Sequence, residues 1–211
     1  LAYGRKMLFK FFTLFLCLLI IFGASVIVSI LYPIKYKDYI NKYAQRYNID
    51  PFLVAAIINV ESKYNKDALS PKKAKGLMQI GQSTGQWGSE ELGIDNYSEE
   101  LLFQPETNIR IGVWYLNKLE KEFNGDLDLM LAAYNAGSGN VNKWLKDKSY
   151  SHDETSLYNI PFKETENYLK KVKSNYKVYK LIYKRHMFTP DEDKKTYIDF
   201  IHYLKNYMKG I

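Results

Sequence analysis

The sequence predicts an all-α chain led by an apolar helix, and three observations carry that expectation. No segment keeps up the every-second-residue alternation of a half-buried strand. Apolar residues recur instead at spacings of three and four along most of the chain. One long stretch near the start, Phe11 to Tyr32, carries no charge.

That uncharged stretch has 22 residues. At about 1.5 Å per helical residue it reaches about 33 Å, enough for a bilayer core. Arg5, Lys6 and Lys10 precede it, which puts the N-terminus in the cytoplasm and the rest of the chain outside. A cleaved signal peptide would have a shorter apolar core followed by a small-x-small site. Here the run continues through Val26-Ile27-Val28-Ser29-Ile30-Leu31 without one. The expectation is an uncleaved single-pass anchor. Residues 1–34 form a stub and anchor, 35–186 a helical domain, and 187–211 a separate amphipathic helix.

Pro33 ends the span. From Tyr36 to Tyr47, residues Tyr36, Tyr39, Ile40, Tyr43, Ala44 and Tyr47 trace one helical face. Asp50-Pro51 opens the next helix, with Asp50 as N-cap and Pro51 in the first turn. Phe52 to Val60 is almost wholly apolar, so this helix is buried on most sides. Gly76 to Gly93, rich in glycine and polar residues, reads as a loop with short helical turns. Pro105 through Phe123 is a long helix with Ile109, Val113, Leu116, Leu119 and Phe123 as its core stripe. A short helix covers Leu127 to Ala133, and another starts at Val141. Residues 149–160 are a polar loop, and Glu164 to Lys184 a long basic helix. Thr189-Pro190-Asp191-Glu192 opens the last, amphipathic helix.

The formal charge of +7 is uneven. Residues 35–142 hold 12 basic and 14 acidic side chains, so they form no polyanion-binding surface by composition. Residues 143–211 hold 15 basic and 9 acidic ones. An anionic lipid or wall polymer is a partner for that third, unless the excess is a solvated helix face. The aromatic and basic stretch Tyr168 to Arg185 resembles a single-strand stacking surface, but at helical spacing it packs the domain; no nucleic acid is expected as ligand. The single cysteine, Cys17, allows no intrachain disulfide. His152, His186 and His202 lack metal-ligand spacing, so no metal is expected.

The chemistry points to Glu61. It sits about three turns into the apolar helix, near the C-terminal end, where the macrodipole disfavours an anion. Apolar Ile57, Ile58 and Val60 beside it add desolvation. Both effects keep a carboxyl protonated, as a general acid at neutral pH requires. About 15 residues on comes Gly76-Leu77-Met78-Gln79-Ile80. A glycine there lets the backbone approach a ligand, Met78 offers an adaptable apolar wall, and Gln79 can both donate and accept hydrogen bonds. In Ala132-Ala133-Tyr134-Asn135-Ala136-Gly137, Tyr134 can stack on a sugar and Asn135 can bind an acetamido group. The small residues on either side, Ala133 among them, allow close packing, and Gly137 also suits a helix C-cap.

Taken jointly, these segments resemble the lytic transglycosylases of the soluble-transglycosylase, goose-lysozyme-like family, which cleave peptidoglycan. The resemblance covers roughly residues 38–180. It includes the pair Glu61-Ser62, the two glycine-containing motifs, and the helix with Asn108, Gly112 and Tyr115-Leu116. It continues through Val141 and Trp144 to Ile160-Pro161-Phe162, Glu164-Thr165 and Tyr168. Two departures stand just past the motifs. Gly81-Gln82 replaces the family's common Met-Pro, and Ser138 replaces a common Pro.

The resemblance implies an α-helical, lysozyme-like fold and Glu61 as the single catalytic acid and base. It implies a glycan-binding set of Ser62, Gly76, Met78, Gln79, Ala133, Tyr134, Asn135, Glu164 and Tyr168. The implied substrate is a strand of alternating N-acetylglucosamine and N-acetylmuramic acid, cut without cofactor to a 1,6-anhydro end. A bacterial, membrane-anchored monomer acting on the cell-wall side is the matching expectation. Two other readings stay open. A muramidase would need a second carboxylate, Glu164 or Asp67. A tethered module with a decayed site would bind glycan without cutting it.

Overall fold

The computed structural model describes residues 2–183 of the chain. It divides into an N-terminal unit up to Lys35 and a second unit from Tyr36. The first is a single helix, α1 (Ala2–Leu31), whose segment Lys10–Leu31 is long and apolar enough to cross a membrane. Its large side chains from Phe11 to Leu31 are exposed. Nothing in that unit covers them.

The second unit is helical, with only isolated bridges at Leu69–Lys75 and Lys75–Ile80 among the described residues. Helix α2 (Lys37–Tyr47) buries Ile40, Tyr43 and Ala44, three positions of the face expected from the sequence. Asn48 takes a left-handed φ of 56° and ends it. Asp50 then caps α3 (Pro51–Ser62): its Oδ1 accepts the Phe52 N–H at 2.8 Å. From Phe52 to Ile58 every residue of α3 is buried.

The span from Gly76 to Gly93, expected as a loop, contains a proper helix, α4 (Gln82–Glu91). It has no apolar stripe to announce it. It forms because its inward positions Gly85, Gly88 and Ser89 are small enough to lie flat on other elements, and tertiary packing outweighs weak propensity. A 3₁₀ turn (Glu99–Phe103) buries Leu102 and leads into α5 (Pro105–Glu122). The stripe Ile109, Val113, Leu116, Leu119 and Phe123 is buried, as its spacing predicts.

Helix α6 (Leu127–Ala136) runs past Ala133, so Tyr134 and Asn135 lie in its last turn rather than in a loop. The Gly137 N–H donates to the Ala133 carbonyl at 2.8 Å, and Gly137, at φ 89°, separates α6 from α7 (Ser138–Lys146). Helix α8 (Lys163–Ile182) packs chiefly on α3. Tyr168 and Tyr179 are buried there, and the Tyr176 hydroxyl donates to Asp50 Oδ2 at 2.6 Å. The aromatic stretch of α8 therefore serves the core. The helix expected from Pro190 lies outside the described residues.

Both departures from the family pattern fall at helix starts. Gln82 is the first residue of α4 and Ser138 the first of α7. Proline is favoured at that position because its missing N–H would have no helical partner. Its replacement costs little and leaves the motif residues alone.

Candidate active site

Glu61 is the next-to-last residue of α3, so its carboxyl lies at the end of a helix that is dry along seven consecutive residues. Burial pushes its pKa up to about 7. Against that, the Tyr168 hydroxyl is close enough to stabilise the anion, and the nearby Glu164 charge pushes upward again. The Tyr168 hydroxyl is buried but completes no full hydrogen bond among the described residues. It is directed at the acid without being spent elsewhere.

Contacts among five elements tie together the segments that carry the expected site residues. The Ser62 hydroxyl reaches the Leu77 carbonyl at 2.8 Å and ties the end of α3 to the 76–80 loop. The Tyr134 hydroxyl donates to the Met78 carbonyl at 2.8 Å and ties that loop to α6. Tyr134 also feels the Glu61 charge, and burial raises its own pKa far above the usual phenol value. The Thr165 hydroxyl donates to Asn135 Oδ1 at 2.8 Å and joins α6 to α8. Lys72 pairs with Glu164 at 3.3 Å and joins the 69–75 hairpin to the start of α8.

The expected site residues separate into two groups. Glu61, Gln79, Tyr134, Asn135, Glu164 and Tyr168 keep polar atoms at or near the surface of this cluster or coupled to the acid. Gln79 Nε2 donates to the Ala68 and Gly76 carbonyls at 3.1 and 2.9 Å, which leaves Oε1 as an acceptor. Asn135 keeps its Nδ2 as a donor, since only Oδ1 is engaged. Ser62, Gly76, Met78 and Ala133 support the site from beneath.

The expectation that Met78 walls a ligand needs correction. Its side chain is 0% exposed and fills the space over Gly112, where an added Cβ would stand 2.3 Å from its sulfur. Gly76 also faces protein rather than ligand: a Cβ there would lie 2.1 Å from the Leu102 carbonyl oxygen, and its φ is 76°. Ala133 is fully buried, and Ser62 spends its hydroxyl on backbone carbonyls.

Two contributors carry roles that spacing does not reveal. Asn108, 0% exposed, accepts the Met78 N–H at 2.8 Å and donates to the Lys75 and Leu102 carbonyls at 2.9 and 2.8 Å. All its main hydrogen-bonding capacity goes into shaping the 76–80 loop. The signal for it is an amide set among apolar positions of a buried helical face. Tyr115 stands 5.7 Å ring to ring from Tyr134 and fixes that ring from α5.

Among the described residues no three His, Cys, Asp or Glu side chains gather as a metal set would. Asp67 pairs with Lys66 at 2.7 Å, is largely exposed, and does not act on Glu61. What the arrangement can do is hold a proton on a half-buried carboxyl near neutral pH, with amide and phenol groups fixed around it.

Comparison with known proteins gives the family and the fold. The family described as "Transglycosylase SLT domain" matches residues 38–157. The chain is 36% identical over 143 residues to the soluble lytic murein transglycosylase of Escherichia coli strain K12, covering 67% of this chain and 22% of that protein. It is 30% identical over 181 residues to the membrane-bound lytic murein transglycosylase C of Edwardsiella ictaluri, covering 70% of this chain and 47% of the relative. Among solved structures, an inactive mutant of the lytic transglycosylase Slt of Pseudomonas aeruginosa superposes with a TM-score of 0.64 at 35% identity, covering 72% of this chain and 25% of that one. The 70 kDa soluble lytic transglycosylase of Escherichia coli gives a TM-score of 0.63 at 34% identity, covering 76% and 27%. The chain thus spans less than half the length of each of these proteins, and its fold is the lysozyme-like one they share.

Proposed function

This chain belongs to the transglycosylase SLT domain family, and on that premise we propose that it is a peptidoglycan lytic transglycosylase with residues 35–186 as its catalytic domain. The observation that carries the proposal is the Glu61 carboxyl at the end of a dry helix, lifted to about 7 by burial and coupled to the buried hydroxyls of Tyr134 and Tyr168. In the first step Glu61 gives its proton to the oxygen that joins N-acetylmuramic acid to N-acetylglucosamine. The bond from C1 of the muramic sugar to that oxygen breaks, and the sugar's own acetamido oxygen stabilises C1. In the second step the Glu61 carboxylate takes the proton of the C6 hydroxyl. The C6 oxygen then bonds to C1 and closes a 1,6-anhydro ring. No water is consumed, no cofactor takes part, and Glu61 ends as it began.

The supporting groups have matching roles. Asn135 Nδ2 donates to an acetamido oxygen, and Gln79 Oε1 accepts from an N–H or hydroxyl. The Tyr168 hydroxyl steadies the carboxylate between the two steps. Glu164 contributes its charge at the edge of the site. A hydrolase would need a second carboxylate of its own. Asp67 and Glu164 are exposed and each is paired with a lysine, which supports the transglycosylase over the muramidase. Every group invoked comes from one chain, so a monomer suffices.

Mass spectrometry of digested peptidoglycan tests the reading. Anhydro-muropeptides are expected, and reducing muramic ends alone would overturn it in favour of hydrolysis. For location, the length and apolarity of α1 support membrane association, as does the resemblance to a membrane-bound relative. Our reading is a single-pass anchor with the helical unit on the wall side. Full-length protein should sediment with membranes in fractionation without detergent, and a shortened soluble species would count against it.

A further inference from the structure

Helix α4 turns its smallest residues inward. A Cβ on Gly88 would stand 2.8 Å from Ile111 and 3.1 Å from Trp114, and one on Gly85 would stand 2.2 Å from the Tyr97 hydroxyl. The largest apolar side chain of the same helix, Trp87, is left 42% exposed. An indole is the side chain whose burial would reward a helix most. Here that reward is partly forgone, while glycines take up the buried positions on either side.

Trp87 is not an isolated surface residue. Its ring meets Trp114 edge to face at 4.7 Å and Tyr115 at 6.4 Å. Tyr115 continues to Tyr134 at 5.7 Å; the Tyr134 hydroxyl donates to the Met78 carbonyl, and the neighbouring Leu77 carbonyl accepts from Ser62, the residue after Glu61. A continuous series of aromatic rings therefore runs from Tyr134, beside the loop tied to the end of α3, to the outer surface of α4. The Lys118 ammonium lies 5.5 Å from the Trp87 ring centre and 5.4 Å from that of Trp114, and Glu91 holds it at 2.9 Å. This bracing fixes the indole while leaving much of it in solvent.

We propose that Trp87 is a sugar platform that binds the glycan strand at a distance from the bond being cut. The slightly positive C–H face of a pyranose suits the negative face of an indole. A polymer extended from Glu61 over the edges of Tyr134 and Tyr115 would arrive at this ring. The inference rests on peptidoglycan glycan being the ligand. It makes the chain favour long strands over fragments.

Kinetics on long uncrosslinked strands and on a tetrasaccharide test it, using the full chain in detergent. Trp87→Ala should raise KM for long strands about 3- to 10-fold, with kcat and the tetrasaccharide KM unchanged. Trp87→Phe, which keeps an aromatic ring against Trp114, should recover part of the loss. Equal changes on both substrates would mark Trp87 as packing alone and overturn the platform. A second measurement needs no turnover. Trp114 and Trp144 are nearly buried, so Trp87 dominates the response of the three tryptophans to a ligand. In Glu61→Gln, long strands should shift the tryptophan fluorescence, and adding Trp87→Phe should remove the shift. A shift that persists without Trp87 overturns the proposal. Strand binding through Trp87 in a wild-type chain that forms no anhydro ends would sink the enzymatic reading and leave the platform standing.

Discussion

Helices α1 and α3 are built from the same kinds of residue, yet the large side chains of α1 stand exposed from Phe11 to Leu31, while Phe52 to Ile58 of α3 are buried without a break. Length separates them first. The 22-residue apolar segment of α1 can cross a bilayer core of about 30 Å; the 12 residues of α3 cannot. Cover separates them second, because α2 and α8 pack on α3. The third difference is chemical. Only α3 ends in a carboxyl group, and Glu61 inherits the dryness of the turns before it. Apolarity alone thus assigns neither helix its surroundings. Where protein supplies the cover, the same apolarity can be used to tune an acid.

The largest effect should come from removing the Glu61 carboxyl, the acid of the proposed reaction. Glu61→Gln should lower the rate of anhydro-muropeptide release by about 10²- to 10⁴-fold while strand binding persists. Retained turnover would mean that the acid lies elsewhere. Next, Ile57→Ala should cost about 2–5 kcal/mol of unfolding free energy, measured by denaturant midpoint, because it opens a cavity in a fully covered helix. Ile20→Ala in α1 should leave the same transition in place. Equal losses would erase the contrast between the two helices.

The pH dependence sharpens the contrast further. The folded pKa of Glu61, about 7, lies above its ordinary value of 4.5, so the folded state holds the proton longer. Its contribution to stability is therefore full below about pH 4.5 and is lost as pH rises through about 7. The loss is on the order of 3 kcal/mol. Urea midpoints of wild type and Glu61→Gln should converge in acid and separate in base, with Gln the more stable. The rate should fall along the same basic limb as the acid form disappears. The smallest effect concerns helix starts. Gln82→Pro and Ser138→Pro should each raise stability by about 0.4–1 kcal/mol, read as a shift in Tm. Gly81, at φ −75° and ψ 160°, already has the extended backbone a following proline needs.

Much of this was legible in the residues. Asp50-Pro51 marked the start of α3, the stripe from Ile109 to Phe123 marked α5, and a carboxylate closing an apolar helix marked Glu61. Residues Tyr134 and Asn135 were legible as polar groups among small ones. Helix α4 was not, because its inward face consists of glycine and serine, and periodicity registers apolar side chains rather than space left for a neighbour. Ser62 and Met78 were legible as members of the site's segments but not as its supports. A residue one step from a functional group can point into the core, and which way it points depends on packing from distant helices. The same limit hid the work of Asn108, which lies 30 residues from the Met78 N–H it accepts.

Asn108 carries a consequence of its own. One side-chain amide on α5 fixes three backbone groups, at Lys75, Met78 and Leu102, and Gly76 is packed too tightly against it to admit a methyl group. The 76–80 segment therefore has little freedom to change its backbone path. Its contour is borrowed from the stiffness of a neighbouring rod, so if the proposed glycan site diversifies among relatives, the change should fall on exposed residues such as Trp87 and Lys72 rather than on this segment.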